Sequence, residues 1–149
     1  MICLENSFFP DSIYQASVSK VCPLPFFISA IQAGFPSPAD DYIEKALDLN
    51  ELVIQHPAAT FYVRVQGDSM QNAGIFSGDI LVVDRSLMAQ NKNIIVAVLD
   101  GEFTVKRLVH HTDGMFLFAE NPAYAPIKLN PEACFEVWGV VTYVIHKTK

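Results

Sequence analysis

Beyond Pro57 the chain alternates short apolar runs with turn-forming residues, a spacing that predicts strands rather than helices. The predicted strands are Thr60 to Val65, Ile80 to Asp84, Ile94 to Leu99, Glu102 to Leu108, Met115 to Ala119 and Val137 to Ile145. Asp100-Gly101 joins two of them with a strong hairpin signal, because both residue types tolerate the positive φ that a two-residue turn demands. That hairpin puts Lys106 on its second strand. Before Pro57 the pattern blurs: Tyr42, Ile43, Ala46, Leu47, Leu49, Leu52 and Val53 mix helical and extended spacing. Asp48 is placed to cap a short helix over Leu49 to Ile54. Residues 1–40 hold few charges and several prolines and run out through Ala33 to Asp41, which reads as an arm and an extended linker without helix. The expected organisation is therefore an arm and linker over 1–40 and one β-dominated domain over 41–149.

Composition narrows the possible partners. A chain of 149 residues, 51% of them hydrophobic, can bury one good core but not two. A net charge of -6 provides no basic field for phosphates, so direct nucleic-acid binding is disfavoured and protein partners are expected. Cys3, Cys22 and Cys134 are odd in number, widely spaced and outside any CxxC pattern, which reads as free thiols in a reducing compartment. His56, His110, His111 and His146 show no ligand spacing with them, so no metal is expected. The apolar run Val21 to Ala33 holds Pro23 and Pro25 and follows Glu5 and Asp11, the wrong flank for a signal peptide. No run approaches the ~20 apolar residues of a membrane span. A cytoplasmic protein is expected, with no membrane contact.

The chemistry is carried by Gly67-Asp68-Ser69-Met70 and by Lys106. A serine hydroxyl is a poor nucleophile at neutral pH, and a lysine can take its proton only if burial lowers the lysine pKa. Ser69 follows a strand and a Gly-Asp turn, the kind of loop that presents a side chain to a cleft. Lys106 lies in an alternating strand, so it and Arg107 face opposite ways and one can be buried while the other reaches solvent. Asp68 reads as a turn residue, since a carboxylate near Lys106 would raise its pKa and oppose its work as a base. Met70 is expected to pack beside the serine. His110-His111 reads as a solvated turn, and Trp138 and the phenylalanines as core or subunit interface, with Phe8, Phe9, Phe26 and Phe27 of the arm packing on their own domain or on a partner.

Taken in order, Ala33-Gly34, Gly67-Asp68-Ser69-Met70, Gly78-Asp79 with Ile80 to Asp84, Gly101 to Leu108, Glu120 to Ile127 and Gly139-Val140-Val141 resemble the LexA/UmuD family of self-cleaving serine-lysine peptidases. The resemblance spans nearly the whole chain from Ala33 onward. It implies a mainly β fold, a compact twisted β-sheet peptidase domain of the LexA/UmuD C-terminal type with a flexible N-terminal arm. It implies Ser69 as nucleophile and Lys106 as general base, attacking the Ala33 carbonyl and cutting Ala33-Gly34. Small residues there let the backbone enter without clash, and the backbone N–H groups of Asp68 and Ser69 are the expected oxyanion donors. No cofactor is implied.

Within that family the segment before the scissile bond separates the branches. The LexA type carries a helix-turn-helix there, whereas this chain has only residues 1–33, few of them basic. That length resembles UmuD and its plasmid-borne relatives, the polymerase-accessory branch. UmuD itself has cysteine before the cleaved glycine; Ala33 is similar to the LexA and MucA types. By this resemblance the protein is a homodimer, its cleavage is stimulated by a RecA filament on single-stranded DNA, and its product assists a UmuC-like Y-family polymerase in error-prone translesion synthesis during the SOS response. Two other readings stand beside it: a LexA-like repressor fragment, disfavoured by the short non-basic N-terminus, and a signal-peptidase-like enzyme, which would need a membrane anchor.

Overall fold

Eight antiparallel strands form the main sheet in a computed structural model that describes residues 13–16, 21–27, 33–34 and 43–149. In chain order the strands are β1 (Ile13–Gln15), β2 (Pro23–Phe27), β3 (Ile43–Asp48), β4 (Thr60–Arg64), β5 (Ile80–Asp84), β6 (Ile94–Leu99), β7 (Glu102–His111), β8 (Gly114–Phe118), β9 (Ile127–Lys128) and β10 (Phe135–Ile145). The main sheet runs β1-β4-β5-β10-β6-β7-β8-β9, and β2 pairs with β3 in a separate two-stranded ribbon. The fold is mainly β, as the run-and-turn pattern predicts. One short helix, α1 (Leu49–Val53), follows β3, and Asp48 caps it by accepting from the Asn50 amide at 2.8 Å.

Period-two alternation sorts the core onto both faces of the sheet. Along β6, Val96 joins Val63, Met70, Ile75, Leu81, Val83 and Trp138, while its neighbours Ile95 and Ala97 join Leu108, Leu117 and Val140 on the other side. Trp138 is 6% exposed and meets Phe61 and Phe103 edge-on, at centroid distances of 5.3 and 5.7 Å, so it is core. The β6–β7 turn takes the form its sequence demands, with φ of 51° at Asp100 and 86° at Gly101.

Three expectations need correction. β2 and β3 form where an extended linker and an ambiguous stretch were expected; prolines 23 and 25 are tolerated because a two-stranded ribbon leaves each strand an edge. His110 and His111 are the exposed last residues of β7, not a turn, because they pair with Met115 and Gly114 of β8. Cys134 is disulfide-bonded, with its partner outside the described residues, whereas Cys22 is free and exposed. Wide spacing in sequence does not keep cysteines apart in space, so the cysteines no longer argue by themselves for a reducing compartment. No helix among the described residues is long and apolar enough to cross a membrane.

The central strand β10 bulges between Val137 and Gly139 against β6, and again between Val141 and Tyr143 against β5. Gly139 sits where β5 comes closest: a Cβ there would lie 2.6 Å from Val83 Cγ1 and 3.3 Å from the Asp84 carbonyl oxygen. Gly139→Ala is therefore expected to cost about 1–3 kcal/mol by overpacking. Urea unfolding of the two proteins checks this, and equal midpoints would mean that β10 and β5 part without strain.

Candidate active site

Ser69 stands on the loop between β4 and β5, and that loop is closed at its base. The Val65 amide donates to the Asp79 carbonyl at 2.9 Å, and the Gly78 amide to the Val65 carbonyl at 2.8 Å. Gly67, with φ 97°, makes the reversal that few side chains would allow. Directly after the serine, Met70 and Ile75 are 2% and 0% exposed. Each anchors the loop with about 1.5–3 kcal/mol of apolar burial. Met70 thus packs as expected. Asp79, itself 3% exposed, braces the far end by accepting from the Phe76 amide at 2.9 Å and meeting His146 Nδ1 at 2.6 Å. Burial opposes the Asp79 charge, but those partners outweigh it and hold the carboxyl below its usual range.

Lys106 reaches Ser69 from β7. Its Nζ lies 3.3 Å from Ser69 Oγ, across 37 positions of sequence. The same nitrogen lies 2.8 Å from Thr104 Oγ1 and 3.0 Å from the Val105 carbonyl oxygen. Thr104 is two residues back along the strand and so shares the Lys106 face. Three oxygens suit the three N–H bonds of an ammonium; a neutral amine can keep donating to Thr104 and Val105 and turn its lone pair to the serine hydroxyl. Partial burial pushes the Lys106 pKa down from its ordinary value, toward that neutral form. Arg107 turns the other way, as alternation demands, but does not simply reach solvent: its Nε pairs with Glu120 and its Nη1 donates to the Lys92 carbonyl at 2.7 Å.

A cleft of about 270 Å³ opens beside the pair, with Val63 to Gly67 along one side and Phe103 to Val105 along the other. Ile13 of β1 also lines it, because β1 adds itself to the edge of β4 with Ile13 opposite Val63. Ala33 and Gly34 are exposed in the segment joining β2 to β3 and are not among the residues that wall the cleft. Asp68 is exposed; its carboxylate accepts from the Tyr124 hydroxyl at 2.6 Å and not from Lys106, so it leaves the lysine pKa undisturbed. Among the described residues, the backbone N–H groups of Asp68 and Ser69 donate to nothing. They are free to hold an oxygen that gains negative charge. No group of three or more His, Cys, Asp and Glu side chains among the described residues is placed to hold a metal.

The arrangement supplies a serine hydroxyl, a partly desolvated amine in contact with it, free N–H donors beside it and an open cleft bounded by extended backbone. Those are the parts of acyl transfer without metal or histidine. Sequence reasoning missed Thr104, although its spacing from Lys106 is a legible signal. It gave no place at the site to Ile13, nor to Asn121 and Tyr124, although both of the latter lie in the Glu120 to Ile127 motif.

Comparison with known proteins gives a family match, Peptidase S24-like, over residues 25–142. Among individual proteins, SamA of Salmonella typhimurium (strain LT2) is 50% identical over 135 residues, covering 91% of this chain and 92% of that protein. ImpA of Escherichia coli is 47% identical over 133 residues, 84% of this chain and 85% of ImpA. MucA of Escherichia coli is 42% identical over 134 residues, 89% of this chain and 91% of MucA.

Lys106 is expected to lose its proton at lower pH than the exposed lysines, because burial destabilises its charged form. Its Cε resonance, followed by NMR through a pH titration in Ser69→Ala protein, checks this. A Lys106 midpoint level with the other lysines would show that the amine is fully solvated.

Proposed function

The chain belongs to the Peptidase S24-like family, and on that premise we propose that it is a serine endopeptidase acting once on itself, between Ala33 and Gly34. The observation that carries this reading is the 3.3 Å approach of Ser69 Oγ to a Lys106 amine whose pKa burial has lowered. Neutral Lys106 accepts the Ser69 proton as Oγ bonds to the Ala33 carbonyl carbon, and the carbonyl oxygen becomes an oxyanion held by the N–H groups of Asp68 and Ser69. Collapse breaks the Ala33–Gly34 C–N bond, with the Lys106 proton passing to the departing Gly34 nitrogen. Water, giving a proton to Lys106, then attacks the Ala33 ester carbonyl, and the ester C–O bond breaks as Lys106 passes that proton to the departing Ser69 Oγ. Residues 1–33 leave, and 34–149 is the product.

Ala33 and Gly34 have to enter the cleft for this to happen, so the resting protein is latent and a partner that favours entry stimulates cleavage. We assign that stimulus to a RecA filament on single-stranded DNA, and to the dimeric product the role of accessory to a UmuC-like Y-family polymerase in the SOS response. High identity to SamA, ImpA and MucA over nearly their whole lengths supports this branch over a repressor. The peptidase domain, 41–149, does the chemistry; residues 1–40 are the arm that is cut. Its place of work is the cytoplasm, where such filaments assemble.

Because the base must be neutral, the rate of self-cleavage is expected to rise with pH from neutrality and to level off above the Lys106 pKa, which lies below that of an ordinary lysine. Mass spectrometry of purified protein at alkaline pH should show fragments 1–33 and 34–149. Ser69→Ala and Lys106→Ala should each reduce their appearance at least about 1,000-fold. Undiminished fragments from Ser69→Ala would overturn the reading.

A further inference from the structure

The loop that follows β8 bonds to the sequence neighbours of both members of the pair, Asp68 beside Ser69 and Arg107 beside Lys106. The Glu120 carbonyl accepts from the Asn72 amide at 2.9 Å, while its carboxylate pairs with Arg107, the neighbour of Lys106. Asn121 is 6% exposed, the one buried polar side chain of this loop, and both ends of its amide are paired: Nδ2 donates to the Asp68 carbonyl at 3.0 Å and Oδ1 accepts from the Ala123 amide at 3.0 Å. Tyr124 donates its hydroxyl to the Asp68 carboxylate at 2.6 Å. The hydrogen bond to that carboxylate and its charge together raise the Tyr124 pKa, keeping the phenol a donor through the alkaline range where cleavage is fastest.

The Asp68 carbonyl belongs to the same planar peptide as the Ser69 N–H. In a trans peptide these two groups point in opposite directions, and the plane does not flex cheaply. A grip on the carbonyl oxygen therefore aims the N–H. That oxygen accepts from Asn121 Nδ2 at 3.0 Å and, more weakly, from the Gln71 amide at 3.2 Å. Burying an amide side chain costs free energy unless both its ends are paired, and Asn121 meets that condition only when the Asp68 carbonyl is turned toward it.

We propose that Asn121 and Tyr124 are positioning residues: they clamp the Asp68–Ser69 peptide from behind, so that the Ser69 N–H faces the cleft as an oxyanion donor before substrate arrives. This rests on the self-cleavage reading for its kinetic consequence, but not for its structural one. Asn121 acts through a peptide plane, without touching the scissile bond. Tyr124 acts through the neighbouring carboxylate.

The test compares Asn121→Ala and Tyr124→Phe with the parent in the full chain. Losing one well-aimed oxyanion donor reduces rates by about 100- to 1,000-fold, so Asn121→Ala should lower alkaline self-cleavage by about 100-fold. The midpoint of its pH profile should not move, because Lys106 keeps its surroundings. Tyr124→Phe, a change at an exposed site that leaves the fold intact, should lower the rate about 3- to 10-fold, with no further loss when Asp68→Asn is added. In both variants the Ser69 amide resonance should shift and broaden while signals from β6 and β10 stay in place. An unchanged Ser69 amide, a rate within twofold of the parent, or a displaced pH midpoint in Asn121→Ala would overturn the proposal. A parent that never cleaves, yet whose Ser69 amide responds to Asn121→Ala, would sink the peptidase reading and leave the clamp standing. Should Asn121→Ala fail to fold, Tyr124→Phe with Asp68→Asn decides.

Discussion

A lysine amine can act as a base near neutral pH only where water has been drawn away from its charged form, and the partial burial of Lys106 lowers its pKa in that direction. Strand β7 lines the cleft with Phe103, Thr104 and Val105 and sets the Lys106 amine against Ser69, with Thr104 and the Val105 carbonyl as its other partners. The opposing wall is the loop that carries Ser69, tied at Val65 and Asp79 and anchored by Met70 and Ile75. Between them the residues after β8 touch both, through Arg107 on one side and Asp68 on the other. The 3.3 Å contact is thus the outcome of three separate chain segments, none of which could produce it alone.

The arm has two relations to this site. β1 is seated on the edge of β4 and puts Ile13 into the cleft wall, while Ala33 and Gly34 lie exposed beyond β2. On the proposed reading, cleavage would remove both the strand that seals the β4 edge and the segment that was cut. The product would then differ from its precursor in surface as well as length, which suits a switch used once.

Much of the fold was legible because β-sheet pairing here is dictated locally. Ile80–Asp84 and Ile94–Leu99 match the apolar runs, and Asp100-Gly101 fixes the hairpin that presents Lys106. The Asp48 cap was equally readable, since its side chain bonds two residues on. What was not legible depends on partners far away in sequence. β2 hides behind prolines and finds β3 across some twenty residues; Cys134 needs a distant cysteine. Asn121 and Tyr124 lay within a recognisable loop motif, but their place against Asp68, 53 and 56 positions earlier, came only with folding. Of the site, the two reacting side chains could be found from their motifs; the groups that hold them in place could not.

The central claim is that the free amine of Lys106 takes the proton from Ser69. The most direct measurement sets two curves side by side: the pH dependence of self-cleavage in the parent protein, and the titration of Lys106 seen by NMR in Ser69→Ala. The account predicts one shared midpoint, below that of an exposed lysine. Midpoints separated by more than about one pH unit, or cleavage that persists in Lys106→Ala, would contradict it.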